Sequence, residues 1–248
     1  MESVIVIPAL GDNFSYLFEY EKNKVIVVDP TDASLVLDKI KKHNLELAAV
    51  IATHHHWDHT AGIKELEYRT SCQIITADQD PGDGQILDFG NSRIRTIATP
   101  GHTDDSVCFY IEPSADSDGI IFTGDTLFIA GCGRPIEGDA RTMWNSLEKL
   151  AALPDNTLVY PGHDYTEENY EFALTIEPEN EAIQKLLKLL RQNQKEGKST
   201  VPSTIAWEKQ TNVFLRANTA VIKSAIDMQS SSDAEVFAEL RRRKNIFG

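Results

Sequence analysis

The constraint that weighs most on this chain is a single junction. An apolar run over 48–52 passes without a spacer into Thr53-His54-His55-His56-Trp57-Asp58-His59. That order predicts a strand whose C-terminal end opens into a helix, a place where functional side chains are held by a rigid scaffold. On extended backbone successive side chains alternate faces, so His54 and His56 point one way and His55 the other, while Asp58 and His59 turn back at the helix start. Neutral imidazoles and carboxylates suit zinc and its divalent neighbours, and this many within so few residues can serve two ions.

The pattern recurs three times. His102 follows Pro100-Gly101, Asp125 follows Thr123-Gly124 and His163 follows Pro161-Gly162, each at the end of an apolar, strand-like run. Glycine permits the close or left-handed backbone of a tight strand exit. One such run could be a chance surface chelator, and one Gly-His step an ordinary turn. Four matching strand ends on one edge instead assemble five imidazoles and two carboxylates: His54, His56, Asp58, His59, His102, Asp125 and His163. His55 is read as a structural residue and His43 as a solvated helix end.

Convergence of that kind requires several strands ending on one side, and residues 1–168 supply them. Strands are expected over 4–7, 16–20, 25–28, 48–52, 73–76, 94–98, 107–111, 120–122 and 158–160, with helices over 34–43, 58–69 and 141–153. This is an α/β domain. From 166 the strand signal fades, and helices are expected up to 177, then over 179–195, 218–228 and 233–244, the last capped through Asp233 after three serines. Two regions result, 1–168 and 169–248, carrying net charges of −16 and +2 within a total of −14. An acidic chain repels nucleic acid and anionic membranes. No run reaches the ~18 apolar residues of a bilayer span. The N-terminal apolar run follows an acid and is cut by Pro8, unlike a secretory leader. Cys72, Cys108 and Cys132, odd in number and widely spaced, read as free thiols. A cytoplasmic monomer with neither nucleic-acid nor membrane partners is expected.

The motifs T-H-x-H-x-D-H, P-G-H-T, F-T-G-D-T-L-F and G-H-D-Y-T together resemble the metallo-β-lactamase superfamily and, within it, the glyoxalase II or hydroxyacylglutathione hydrolase family. HxHxDH alone marks only the superfamily. The narrower likeness lies in G-D-T-L-F with G-C-G-R and in the tail Leu240-Arg241-Arg242-Arg243-Lys244. The resemblance implies a four-layered αβ/βα sandwich with a small C-terminal helical domain over the substrate. It assigns His54, His56 and His102 to one metal and Asp58, His59 and His163 to a second, with Asp125 and a hydroxide bridging them. Asp58 and Asp125 are thereby catalytic as well as ligating. Asp29 is similar to an acid that orients a ligand imidazole, although an ordinary turn residue before Pro30 reads the same. Arg134 and Tyr165 match positions that contact glutathione, while Ile136 stands where many members have an aromatic residue. Cys132, in the same loop, is read as a small packed side chain.

The implied reaction is hydrolysis of S-(2-hydroxyacyl)glutathione, typically S-D-lactoylglutathione, as in methylglyoxal detoxification. Two dications, most simply Zn²⁺ with iron or manganese as alternatives, outweigh two carboxylates and a hydroxide, so the site stays electron-poor and lowers the pKa of water. A thiolate leaves without a proton donor, which suits a thioester. The tail points the same way. At ~100° per residue Arg241 and Lys244 fall on the apolar face of Phe237 and Leu240, with Arg242 and Arg243 turned outward. Inward charges need a counter-charge, which an anionic carrier or a solvated helix end could supply. The competing readings are a mononuclear iron persulfide dioxygenase, another thioesterase of the same fold, and a binding module that holds metal without turnover.

Overall fold

The computed structural model describes residues 3–79, 82–114 and 117–247. Two sheets face each other. The first has the order β1-β2-β3-β4-β5, formed by Ser3–Ala9, Asn13–Glu21, Lys24–Val28, Glu46–Ala52 and Gln73–Thr76. Its first three strands are antiparallel, whereas β3, β4 and β5 run parallel and need crossovers. Helix α1 (Ala33–His43) makes the first crossover, with the Asp32 carboxylate accepting from Ser34 N at 2.7 Å at its start and Asn44 in the left-handed region at its end.

Alternation along the strands sorts the layers. Val25 and Val27 face α1, while Ile26 and Val28 face the second sheet. That sheet contains β6 (Ile86–Phe89), β7 (Ser92–Ala98), β8 (Val107–Ile111), β9 (Ile120–Gly124), β12 (Leu158–Pro161) and β13 (Ser203–Thr204), in the order β13-β12-β9-β8-β7-β6. Between β9 and β12 the chain forms a short hairpin, β10 (Leu127–Phe128) and β11 (Gly131–Cys132), and then α4 (Ala140–Ala151). Tyr16 and Phe122 close the sandwich with ring centroids 5.3 Å apart. Met143, Trp144, Leu147 and Leu150 of α4 join the same core, giving helix, sheet, sheet and helix layers.

The expected helix over 58–69 is two helices, α2 (Trp57–Thr60) and α3 (Ile63–Thr70). Gly62 breaks it: its N–H donates to Pro30 O at 2.8 Å, and a Cβ there would stand 2.7 Å from that oxygen. Strand β6 was not expected; it pairs with β7 across the two-residue Gly90-Asn91 turn.

The C-terminal part is helical: α5 (Thr166–Ile176), α6 (Glu181–Lys195), α7 (Ile205–Thr211), α8 (Ala220–Ala225) and α9 (Asp233–Asn245). Helix α7 was not anticipated, and the helix expected over 218–228 is only α8, started by the Thr219 hydroxyl. Asp233 is not the cap of α9. Ser232 Oγ accepts from Glu235 N, and the Glu235 carboxylate accepts from Ser232 N at 2.8 Å, a reciprocal capping box. Phe237 of α9 lies between Trp144 and Phe214, so one apolar core runs from the second sheet into these helices. Among the described residues no helix is long and apolar enough to cross a membrane, and all three cysteines are free and buried.

Candidate metal centre and adjoining cavity

The C-terminal ends of β4, β7, β9 and β12 carry the four motifs to one edge of the sandwich. Backbone bonds lock these ends together: Gly162 N donates to Gly124 O and Phe14 N to Gly162 O, both at 2.8 Å. Glycine is obligatory at 162, since a Cβ would stand 2.6 Å from Asp125 Oδ1 and 2.7 Å from His59 Cε1. Side-chain alternation holds across 54–56: His54 and His56 enter the cluster, whereas His55 turns outward to Asp105 at 2.9 Å and Glu137 at 3.4 Å.

All seven candidate ligands meet. His56 Nδ1 lies 3.1 Å from both His54 Nε2 and His102 Nε2. His59 Nε2 and His163 Nε2 are 3.2 Å apart. Asp58 Oδ2 is 3.4 Å from His163 Nε2 and 3.6 Å from His59 Nε2. Asp125 reaches both groups, with Oδ2 3.3 Å from His102 Nε2 and Oδ1 3.4 Å from His163 Nε2.

Outer partners decide where the protons sit. His59 Nδ1 faces Asp29 Oδ2 at 3.0 Å, His102 Nδ1 faces the Arg134 carbonyl at 2.9 Å and His163 Nδ1 faces Asp12 Oδ1 at 3.2 Å. Each of these is an acceptor, so each Nδ1 carries the N–H. Thr53 Oγ1 donates to Asp29 Oδ2 at 2.7 Å and is left to accept from His54 Nδ1 at 3.1 Å. These four imidazoles thus turn Nε2 inward, those of His59, His102 and His163 toward carboxylate oxygens, and Asp125 Oδ1 is buried with no hydrogen bond. Imidazole nitrogens and carboxylate oxygens crowded this closely need protons or cations between them, and imidazole with carboxylate is a donor set that fits divalent metal ions.

The titration directions divide the imidazoles. Burial holds His54 well below the usual imidazole range, with His59 adding to it, and burial also lowers His102. Burial opposes charge on His163, yet Asp125, Asp58 and Asp12 together push it up to about 10. Burial likewise opposes charge on His59, which Asp29 overcomes and raises. The Asp58 carboxyl is held well below its ordinary range, chiefly by His163; Asp125 is also held low, as His163, His59 and His54 outweigh its burial. The cluster attracts positive charge.

Asp29 is the orienting acid: buried, at φ 50°, it accepts from Thr53 N at 2.7 Å as well as facing His59. Left-handed backbone at a buried non-glycine residue is strain that its hydrogen bonds must repay. Asp12, Asn13 and Thr53 were not singled out in the sequence, yet Asn13 Nδ2 donates to Asp58 Oδ2 at 3.0 Å. Their signal was the polar Asp12-Asn13 pair in the β1–β2 turn.

A cavity of about 290 Å³ opens from His102 and Asp125 to Arg134, Tyr165, Glu168, Arg241 and Lys244. Tyr165 stacks on His163, 5.1 Å between centroids and 8° between planes. Arg241 and Lys244 are buried on the inner face of α9, and Arg242 and Arg243 turn outward to pair with Glu239. Lys244 meets a carboxylate of the chain itself, Glu168 of α5, a partner the sequence reading did not assign. Ile136 is exposed on an outer cavity shared with Arg134 and Arg241. Cys132 is a buried, packed side chain, and burial pushes its thiol up to about 11, away from the reactive thiolate.

Comparison with known proteins shows where this geometry belongs. Residues 9–80 and 73–163 match the metallo-beta-lactamase superfamily, and residues 164–247 match the hydroxyacylglutathione hydrolase C-terminus. Hydroxyacylglutathione hydrolase of Aliivibrio fischeri strain MJ11 is 40% identical over 258 residues, covering 100% of both chains. The chain belongs to the hydroxyacylglutathione hydrolase family. The Maricaulis maris member is 38% identical, covering 97% of this chain and 96% of its own. Among solved structures, ETHE1 from Myxococcus xanthus aligns with a TM-score of 0.68 at 24% identity, over 99% of this chain and 92% of that one, a likeness of fold. The fold is therefore that of the metallo-β-lactamases with a helical C-terminal part, and family membership makes the chain a thioester hydrolase.

Proposed function

We propose that the protein hydrolyses S-(2-hydroxyacyl)glutathione, typically S-D-lactoylglutathione, to glutathione and a 2-hydroxy acid, as methylglyoxal detoxification requires. The observation that carries this reading is the shared cavity, which sets His102 and Asp125 of the cluster beside Arg134 and Arg241, so a reacting carbonyl and an anionic carrier have adjoining places.

Two divalent cations, zinc foremost and iron or manganese as substitutes, supply Lewis acidity when bound, making water nucleophilic near neutral pH and polarising a carbonyl. His54, His56 and His102 would hold one, and Asp58, His59 and His163 the other, with Asp125 offering an oxygen to each group. Both carboxylates stay ionised and can accept a hydrogen bond that orients the attacking water. Thr53, Asp29, Asp12 and the Arg134 carbonyl keep the imidazoles in one tautomer. Residues 1–168 would hold the reacting centre together with Arg134 and Tyr165 of the carrier site, and 169–248 would add Arg241 and Lys244. A thiolate departs unprotonated, since thiols ionise near a pKa of ~8.5, so this arrangement suits a thioester better than an amide.

The test is thiol release from S-D-lactoylglutathione by purified protein, with metal content measured on the same sample. Turnover with two cations per chain is expected. Oxygen-dependent persulfide consumption with one iron would put the dioxygenase reading in its place, and bound metal without thioester turnover would leave a binding module.

A further inference from the structure

Asp125 offers an oxygen to each ligand group, yet it is held unlike its neighbours. Thr53 faces His54, Asp29 faces His59, the Arg134 carbonyl faces His102, Asp12 faces His163, and Asn13 donates to Asp58. Among the described residues no such outer partner meets Asp125. Its Oδ1 is buried with no hydrogen bond, and the imidazoles at its carboxylate, His102 at 3.3 Å, His163 at 3.4 Å and His59 at 3.5 Å, are themselves candidate ligands. A ligand atom must stand within about 0.2 Å of its proper distance, and a carboxylate that serves two cations meets that demand twice. With no outside side chain to aim it, Asp125 depends on the backbone that carries it.

That backbone is a tight turn, closed around Gly124-Asp125 by Thr126 N donating to Thr123 O at 3.0 Å. A line of buried side chains grips both of its ends. Thr126 Oγ1 donates to Thr99 Oγ1 at 3.0 Å; Thr99 Oγ1 lies 3.3 Å from Cys108 Sγ and 3.5 Å from the Ser106 carbonyl; and Cys108 Sγ donates to Thr123 O at 3.7 Å. Burial pushes the Cys108 thiol up to about 12, so it keeps its proton, and with that proton on Thr123 O the sulfur is left to accept from Thr99. The bonds form a ring: Thr126 to Thr99, to Cys108, to the Thr123 carbonyl, and back through Thr126 N. All four residues are buried, where hydrogen bonds are strengthened and an unpaired hydroxyl is costly. Thr99 follows β7, three residues before His102, and Cys108 belongs to β8. The ring therefore ties the turn after β9 to both strands beside it.

We infer that Thr126 and Thr99 are positioning residues whose hydroxyls, closed through Cys108, hold the turn so that one Asp125 oxygen faces each ligand group. This inference rests on the two-cation reading above. None of Thr99, Cys108, Thr123 and Thr126 lines the cavity at the cluster, so the ring acts through Asp125 and not by touching substrate. The role belongs to the hydroxyls and not to bulk. Valine has the branched shape of threonine without its hydrogen bond, and serine keeps the bond without the methyl group.

The experiment compares full-length wild type, Thr126→Val, Thr126→Ser, Thr99→Val and the double valine variant, all loaded with Zn²⁺, by chelator titration and by thiol release from S-D-lactoylglutathione. Each valine variant is expected to release both Zn²⁺ equivalents together at about 10- to 100-fold lower chelator concentration, and to lower kcat by a similar factor with KM little changed. Thr126→Ser should recover most of both. The double variant should lose little more than either single one, because one broken bond already opens the ring. A Thr126→Ser protein as impaired as Thr126→Val would make the position one of packing and overturn the inference. Unchanged metal retention in the valine variants, early release of only one equivalent, or losses that multiply in the double variant would overturn it as well. If Thr126→Val does not fold, Cys108→Ala opens the same ring farther from Asp125 and should show the same joint release. Wild-type protein that holds fewer than two Zn²⁺ would instead overturn the two-cation reading itself.

Discussion

Glu208 offers a test of the packing that needs no assumption about metals. Its side chain is fully buried on α7, where Oε1 accepts from Ser203 Oγ at 2.5 Å and Oε2 from Ala130 N at 2.8 Å and Asn212 Nδ2 at 3.0 Å. Burial raises its pKa; the three donors oppose this but do not cancel it, and the carboxyl is pushed up to about 7. In the unfolded chain it titrates at the ordinary 4.5. Between these values the folded protein binds the extra proton, so stability falls as pH rises through that window and stays lower above it. At ~1.36 kcal/mol per unit the loss is about 3 kcal/mol by pH 8. Glu208→Gln should keep the contacts: its amide oxygen can accept from Ala130 N and Asn212, and its NH₂ can donate to the Ser203 hydroxyl, which is free to rotate. The variant should therefore match the wild type near pH 4.5 and exceed its stability by about 3 kcal/mol near pH 8. Equilibrium urea unfolding of both proteins across that range measures the difference, in which the titration of all other groups cancels. Parallel curves for the two proteins would refute the reasoning, and so would a difference that grows toward low pH.

Three further outcomes are expected. His54→Ala and His56→Ala should each lose bound metal and at least ~100-fold in activity, while His55→Ala keeps most of both, read by elemental analysis and thiol release; equal losses at all three positions would contradict the alternation of faces. Asp29→Asn keeps the size but removes the charge that His59 Nδ1 faces, and should weaken metal retention during chelator titration by ~10- to 100-fold. Phe237→Ala empties a fully buried ring site between Trp144 and Phe214 and should cost about 3 to 5 kcal/mol in urea unfolding, whether or not metal is present.

What the sequence disclosed and what it hid divide along sequence distance. Strand ends followed by Gly and a ligand are local signals, and so is the two-residue period that turns His55 away from His54 and His56; both were legible without a structure. The α9 wheel was legible for the same reason, because the 3.6-residue period places Arg241 and Lys244 beside Leu240 whatever packs against them. The break at Gly62 was not, because its cause is Pro30, a residue from another loop whose carbonyl occupies the space a side chain would need. Helix α7 is barely two turns long, too short for periodicity to show, and β6 has only four residues, with Gly90-Asn91 as its sole cue. The outer partners of the imidazoles were hidden by the same logic. Asp12 meets His163 across 151 positions and Asn13 meets Asp58 across 45, and nothing in a short polar pair announces either contact. Glu168 and Lys244, 76 positions apart, could be paired only once α5 and α9 were seen side by side.

The hairpin of β10 and β11 explains why the helical part is more than a lid. It lies between Asp125, which reaches both candidate ligand groups, and Arg134, which lines the adjoining cavity and whose carbonyl accepts from His102. Its backbone is held almost residue by residue from the helices: the Phe128 and Gly131 carbonyls accept from Asn212, Ile129 O from Asn169 and Cys132 O from Arg241, while Ala130 N donates to Glu208. Ala130 itself is in the left-handed region at φ 54°, a conformation an alanine keeps only when its surroundings impose it. Arg241 is thus both a cavity cation and a backbone anchor, so truncating it removes charge from the proposed carrier site and loosens the loop that follows Asp125. Its loss should therefore lower kcat as well as raise KM for a glutathione thioester, and a rise in KM with kcat unchanged would show that the hairpin does not depend on this anchor.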